Sequence, residues 1–277
     1  MGIAEENVLI ILFWDIDGTL LTTGRAGVPA WEAAVKEVTG RDFQLSSIRV
    51  PGLTDFQIAV RTFEILGIEA TDETLRRMVR LYEEGLPAAL PLKQGRVLPN
   101  VREILERLHR PPPPGFGEAR RSASREGGRD DVRSYLLTGN TRGGAQAKLM
   151  HYGLFDYFLD GAFAEDARDR STIAWRAIEL ARRAGPVAGD GVFVIGDTPH
   201  DIDCAHAIGA RTIAVATGGY TLDELAAHRP WRVFAELPSP DEFLRLIGIR
   251  DPGPGIRSGR SDPADPGSRI PDPGITA

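Results

Sequence analysis

The 277-residue chain is poorest in cysteine, with Cys204 alone. One cysteine forms no disulfide within its own chain, and the repeated Cys/His spacing of a zinc site is missing, so a reducing compartment, the cytoplasm, is expected. An excess of basic charge is lacking as well: 33 Lys and Arg stand against 39 Asp and Glu, a net charge of −6. That balance removes the positive surface on which sequence-independent nucleic-acid binding depends, and nucleic acid is not an expected partner. Long apolar runs are missing too. Val8 to Trp14 spans seven residues, against the roughly 20 of a membrane helix, so it is read as a strand and no membrane partner is expected. Nor does the beginning of the chain show a basic segment with a small-residue cleavage site, or Ser or Thr at position 6 after Met1-Gly2, and the chain is read as unprocessed and soluble. What is present is ordinary globular material, 42% apolar and 26% charged, enough to bury a core.

Two stretches look unable to pack. Residues 111–131 begin with four prolines and continue in Arg, Ser, Gly and Asp with one aromatic residue, so a flexible loop insertion is expected there. Arg120, Arg121, Arg125 and Arg129 within it read as a solvated loop rather than an anion site. Residues 251–277 are dominated by Pro, Gly, Asp and Ser, and a disordered tail is expected. The 229 remaining residues suit a core domain with an inserted cap. Short branched runs at Val8–Trp14, Ser134–Leu137, Val192–Ile195 and Thr212–Val215 read as buried parallel strands. Helical patterns lie at Val101–His109, Arg142–Tyr152, Thr172–Arg183, Ile202–Ile208 and Asp241–Ile247. Their alternation predicts an α/β fold, a doubly wound parallel sheet. Between residues 22 and 98 only helical periodicity is visible, over Trp31–Val38, Phe56–Leu66 and Glu73–Ala89. That region is expected to be a helical cap, with the core domain made of residues 1–21 and 99–250.

Four segments carry candidate chemistry. In Phe13-Trp14-Asp15-Ile16-Asp17-Gly18-Thr19-Leu20 a strand ends in two carboxylates at i and i+2, which face the same side of an extended segment. In open α/β sheets, sites form beyond the carboxyl ends of strands. Two adjacent negative charges ask for a cation between them, and hard Mg²⁺ prefers oxygen ligands. Val192 to Asp201 repeats the pattern: a buried strand leads into Gly196-Asp197-Thr198-Pro199-His200-Asp201. Asp197 is placed to complete a metal site with Asp15, and Asp201 to support it from behind or to cap the following helix. Thr138-Gly139-Asn140-Thr141 ends a third strand, where a hydroxyl, backbone N–H groups and a helix N-terminus suit a phosphate oxygen. Arg170, in Asp169-Arg170-Ser171 upstream of a helix, offers a positive charge for a phosphoryl group, with Arg168 as its competitor. Gly18 permits a sharp turn after the first strand, and Thr19 is then placed to fix the acid at Asp17 by hydrogen bonding.

DIDGTL, LLTGNT, the Arg170 segment and GDTPHD, in this order over roughly residues 8–248, resemble the haloacid dehalogenase superfamily. The helical insertion resembles the C1-type cap of its phosphoglycolate-phosphatase-like members. The resemblance implies that Asp15 is the nucleophile that forms an aspartyl-phosphate, and that Asp17 protonates the leaving oxygen and later activates water. It implies that Thr138 and Arg170 hold the phosphoryl group, with Gly18, Thr19, Gly139 and Asn140 lining the phosphate pocket. Asp15, the backbone carbonyl of Asp17, and Asp197 would ligate Mg²⁺. The superfamily's dehalogenases and phosphonate hydrolases lack a carboxylate at the second position, so Asp17 argues for phosphate-ester hydrolysis. The expected function is a Mg²⁺-dependent phosphatase of a small phosphorylated metabolite, phosphoglycolate first among them. The alternatives are a phosphosugar mutase of the same superfamily and a metabolite-binding module with little turnover. Cys204 and His206 read as packing residues and His200 is unassigned. The segment Gly52-Leu53-Thr54-Asp55 reads either as a substrate-facing cap loop or, at Thr54, as a helix N-cap. Oligomeric state has no signature in the sequence.

Overall fold

A computed structural model describes residues 9–109, 132–165, 169–183 and 185–249. The expected loop at 111–131, the expected tail at 251–277, and Arg168 lie outside the described residues. Six strands form one parallel sheet in the order β5-β4-β1-β6-β7-β8. They are β1 (Leu9–Trp14), β4 (Val132–Leu137), β5 (Gly161–Ala162), β6 (Val187–Gly196), β7 (Arg211–Val215) and β8 (Arg232–Phe234). The helices that cover the sheet are α4 (Val101–Leu108), α5 (Arg142–His151), α6 (Arg170–Arg182), α7 (Pro199–Ile208), α8 (Leu222–Ala227) and α9 (Pro240–Leu246). This is the doubly wound parallel sheet that the alternation of patterns predicts.

Both faces of the sheet are covered, which is why its strands read as continuous apolar runs. Alternate residues separate cleanly: Leu12 and Trp14 of β1, Leu136 of β4, and Phe193 and Ile195 of β6 enter one apolar cluster. Ile11, Phe13, Leu137, Val192 and Val194 enter another. Trp14 stacks on Phe243 of α9 with ring centroids 5.5 Å apart. Truncating such a buried indole to Ala typically costs about 3–5 kcal/mol.

Between β2 (Leu21–Thr22) and β3 (Arg96–Val97), which pair antiparallel, the chain folds into α1 (Gly27–Thr39), α2 (Asp55–Leu66) and α3 (Asp72–Ala89). These helices bury a cluster of their own around Trp31, Phe63, Met78 and Leu86. Helix starts are chemically marked. Thr54 and Thr71 each form a capping box, satisfying backbone N–H groups at the first turns of α2 and α3. The two-residue pairs β2 and β3, and the short strands β5 and β8, lie outside the sequence expectations. Two or three residues display no periodicity to read.

Candidate active site

The strand order sets the site. β1 lies between β4 and β6, so the segments after all three strands open side by side at one edge, the position where doubly wound sheets bind ligands. Asp15 follows β1, Thr138 follows β4 and Asp197 follows β6. Asp15, Asp197 and Asp201 converge, with one carboxylate oxygen from each lying within 4.8 Å of the others, and all three are buried. Thr138, fully buried, hydrogen-bonds Asp15.

Local chain geometry lets these groups approach. Gly18 has a left-handed φ of +83°, and a Cβ there would lie 2.5 Å from Asp197 Oδ2. A Cβ at Gly218, in the loop after β7, would come within 1.7 Å of the same oxygen. Side chains at either position would displace the carboxylate. Thr217 closes the loop by donating to the Gly18 carbonyl. Thr19 differs from expectation: its hydroxyl donates to Asp197 Oδ1 at 3.3 Å and not to Asp17. The turn after Gly18 carries it toward β6. The Gly18 N–H is likewise committed, to the Leu21 carbonyl at 2.9 Å, so the backbone of Gly18 has no donor left for a phosphate.

Arg170 is the first residue of α6 rather than a residue upstream of it, and Asp169 caps that helix by accepting from Thr172 N at 2.8 Å. The guanidinium pairs closely with Asp201 and lies 3.9 Å from Asp15 Oδ1. Its Nε is buried without a hydrogen-bond partner among the described residues. Asp201 has both oxygens occupied, one by Arg170 and the other by Thr198 N and Oγ1 at 3.1 and 2.8 Å. It closes the capping box of α7, as expected of it, and its other oxygen faces Arg170. Cys204 donates its thiol to the Arg170 carbonyl at 3.3 Å; burial pushes that thiol up to about 12, in keeping with a packing role.

The electrostatics call for a cation. Around Asp15, Asp197 and Asp201 one guanidinium lies within ion-pair range among the described residues, leaving two negative charges uncompensated there. Burial, then the neighbouring Asp201, pushes Asp15 up to about 7, against the pull of Arg170. Burial and the charges of Asp15 and Asp201 also hold Asp197 well above the usual carboxylate range. A dry, all-oxygen set short of two positive charges fits Mg²⁺. Asp15 and Asp197 would hold it, since the oxygens of Asp201 are already turned to Arg170 and Thr198.

The second carboxylate stands in another setting. Asp17 Oδ2 accepts from Lys148 Nζ at 2.5 Å and from Asn140 Nδ2 at 2.9 Å. Asn140 also gives Nδ2 to Thr138 Oγ1 at 2.8 Å and takes Lys148 Nζ on its Oδ1 at 2.6 Å. Asn140 thus arranges the acid and the Thr138 hydroxyl rather than presenting a free amide to phosphate. Burial disfavours the charge of Lys148, yet Asp17, Tyr82 and Asp55 outweigh burial and hold its pKa above the usual lysine range.

The sequence expectations did not include Lys148. A readable signal exists, since the buried residues of α5 are Gly144, Ala145, Lys148 and Leu149. A lysine at an apolar-face position of a helix that leaves a site strand is rarely buried without a partner. Asp55 is the other residue whose place only the fold reveals. It comes from α2, and its Oδ2 accepts from Thr141 N at 2.8 Å while its own N–H donates to the Gly139 carbonyl at 2.9 Å. A Cβ on Gly139 would meet the Leu53 carbonyl at 2.7 Å and Arg170 Nη1 at 2.8 Å, so glycine lets the helical insertion close onto the site. Both readings of the 52–55 segment meet here: Thr54 caps α2, and Gly52 and Leu53 line the cavity above Asp15 and Asp17. That cavity, about 480 Å³, is roofed by the insertion. His200 packs against Gly52, where a Cβ would come within 2.2 Å of its ring.

With the fold and this edge of carboxylates established, the chain belongs to the haloacid dehalogenase-like hydrolases, whose family model matches residues 12–206. It is an enzyme of that class. A further HAD-hydrolase-like model matches residues 174–239. A protein described as probable phosphatase IndB, from Dickeya dadantii (strain 3937), is 26% identical over 241 residues, covering 86% of this chain and 92% of that one. Among solved structures, one described as a predicted phosphoglycolate phosphatase from Haemophilus somnus 129pt superposes with a TM-score of 0.60 at 17% identity, covering 88% of this chain and 99% of that one. CbbY from Rhodobacter sphaeroides, in complex with phosphate, gives a TM-score of 0.60 at 13% identity, covering 83% and 95%. These likenesses agree on the fold. Among the described residues, no helix is long and apolar enough to cross a membrane.

Proposed function

We propose that the chain is a Mg²⁺-dependent phosphatase that hydrolyses a small phosphate monoester through an aspartyl-phosphate on Asp15. The observation that carries this reading is the meeting of Asp15, Asp197 and Asp201 in one buried cluster two positive charges short, with Thr138 and Arg170 on Asp15. The phosphatase relative and the phosphate-bound structural neighbour support it.

In this mechanism Asp15 attacks phosphorus and the ester oxygen departs. Arg170 and Thr138 hold the non-bridging oxygens beside Asp15, so charge on the moving phosphoryl group meets donors already in place. Asp17, braced by Lys148 and Asn140, gives a proton to the leaving oxygen and then takes one from the water that cleaves the acyl phosphate. Such positioned proton transfer contributes about 10²- to 10⁴-fold. Asp15 must be ionised to attack; Mg²⁺ held by Asp15 and Asp197 would supply positive charge that favours this and offsets the charge of the phosphate. The roof over the cavity supports a small soluble substrate rather than a phosphoprotein.

Incubation of purified protein with Mg²⁺ and p-nitrophenyl phosphate tests the reading. Wild type is expected to release nitrophenol and inorganic phosphate in equal amounts. Asp15→Asn should lose at least about 10³-fold, and chelation should stop the wild type. Equal rates for both proteins refute the reading, and nitrophenol release without phosphate would point to a phosphoryl-transfer enzyme.

A further inference from the structure

The cavity above Asp15 carries more information than its charged floor. Resting on the phosphatase reading, we propose that its substrates are monoesters whose alcohol part is an apolar body about the size of a ring, and not phosphoglycolate or a phosphosugar.

Volume is the first argument. A cavity of about 480 Å³ lies within the roughly 300–1,000 Å³ of pockets that take drug-sized ligands. A phosphoryl group with a two-carbon acid fills a minor part of it. The second argument is the lining. Away from the carboxylates the wall is made of Val28 and Trp31 from α1, Leu45, Ile48 and Val50 from the segment that follows, and Ile58 from α2. Pockets of this kind bind through apolar area and use few polar groups to orient the ligand.

Several polar atoms on this wall are already engaged. Trp31 Nε1 donates to Thr62 Oγ1 at 3.2 Å, and the Thr62 hydroxyl donates to the Ile58 carbonyl at 2.8 Å. Asp55 Oδ2 holds Thr141 N, and Lys148 holds Asp17 and Asn140. A sugar entering here would leave water with several hydroxyls and find few new partners, a loss that grows with each hydroxyl. An apolar ring would instead remove its own surface and that of the wall from water. Arg25, Ser46 and Arg49 also line the cavity and are exposed, and Thr23 and Tyr82 add two buried hydroxyls to it.

A substrate panel separates this inference from the reading beneath it. Benzyl phosphate, ribose 5-phosphate and phosphoglycolate are all esters of primary alcohols, so differences among them report the pocket more than the leaving group. With wild-type enzyme, Mg²⁺ and phosphate release as readout, kcat/KM for benzyl phosphate should exceed both others at least about tenfold, since a single methylene in an apolar pocket is worth about 10- to 200-fold. Val50→Thr keeps the shape of a half-buried side chain and adds a hydroxyl; it should lower the ratio of benzyl to ribose phosphate kcat/KM at least about threefold. If p-nitrophenyl phosphate is cleaved but ribose 5-phosphate or phosphoglycolate equals or surpasses benzyl phosphate, the inference is overturned and the phosphatase reading stands. If none of the four esters is cleaved, both fall. An unchanged ratio in Val50→Thr removes the assignment of that wall as the selecting surface.

Discussion

Two buried cations stand within one active site, and different parts of the chain hold them. Arg170 comes from α6, and its partners Asp15 and Asp201 belong to the sheet-bearing core. Lys148 comes from α5 and pairs with Asp17 in the core, but Asp55 and Tyr82, from α2 and α3 of the helical insertion, contribute to its field. The Arg170 corner is therefore complete without the insertion, whereas the Lys148 corner takes its final form only when the insertion is seated. Asp15 and Asp17, two residues apart in sequence, thus stand in different surroundings.

The comparison breaks most visibly at Arg170. Replacing it by Met leaves Asp201 buried and unpaired, which should cost about 3–5 kcal/mol of stability and lower kcat by about 10²- to 10³-fold. Urea unfolding and initial rates measure the two losses, and a variant of wild-type stability would show that Asp201 does not depend on Arg170.

Next in size is an effect on the insertion side. Burial pushes Asp55 up to about 6 from 3.8, against Lys148. Below 3.8 folded and unfolded chains both keep this proton and nothing is lost. Between the two values only the folded chain keeps it, so stability falls as pH rises; above about 6 the loss is complete, at about 3 kcal/mol. Asp55→Asn retains an acceptor for Thr141 N and does not titrate. The variant should therefore gain on wild type by up to about 3 kcal/mol between about pH 4 and pH 7, read from urea midpoints across that range. A pH-independent difference would remove Asp55 from the account.

The smallest effect sharpens the comparison rather than breaking it. Lys148→Met should lower kcat/KM, which ends at departure of the alcohol, about 10- to 100-fold for benzyl phosphate and less than about threefold for p-nitrophenyl phosphate, because the better leaving group needs little help from Asp17. Equal losses on both esters would mean that Lys148 supports the fold and not the acid.

Most of the core side of this picture is legible in the sequence. Branched apolar runs mark the central strands, and acids immediately after two of them place Asp15 and Asp197 at one edge, since strand ends of a parallel sheet share a side. The partners are harder to read. Thr19 turns to Asp197 because of the left-handed turn at Gly18, a three-dimensional fact with no local pattern. Lys148 and Asp55 are brought together by packing of the insertion on the core, from positions 93 residues apart. Helical periodicity says which face of α5 is buried but not what waits against it. The short strands β5 and β8 exist because their neighbours offer hydrogen-bonding edges, and their own residues carry no preference strong enough to announce them.

The ribbon of β2 and β3 has a last consequence. Leu21 faces Val97 and Thr22 faces Arg96, so the excursion that builds the roof departs and returns through one clasp and meets the core again where Asp55 bonds Gly139 and Thr141. A head-piece joined to the machinery in this way can be resculpted elsewhere while the hearth beneath keeps its alignment, provided that the Asp55 contacts to Gly139 and Thr141 are left in place.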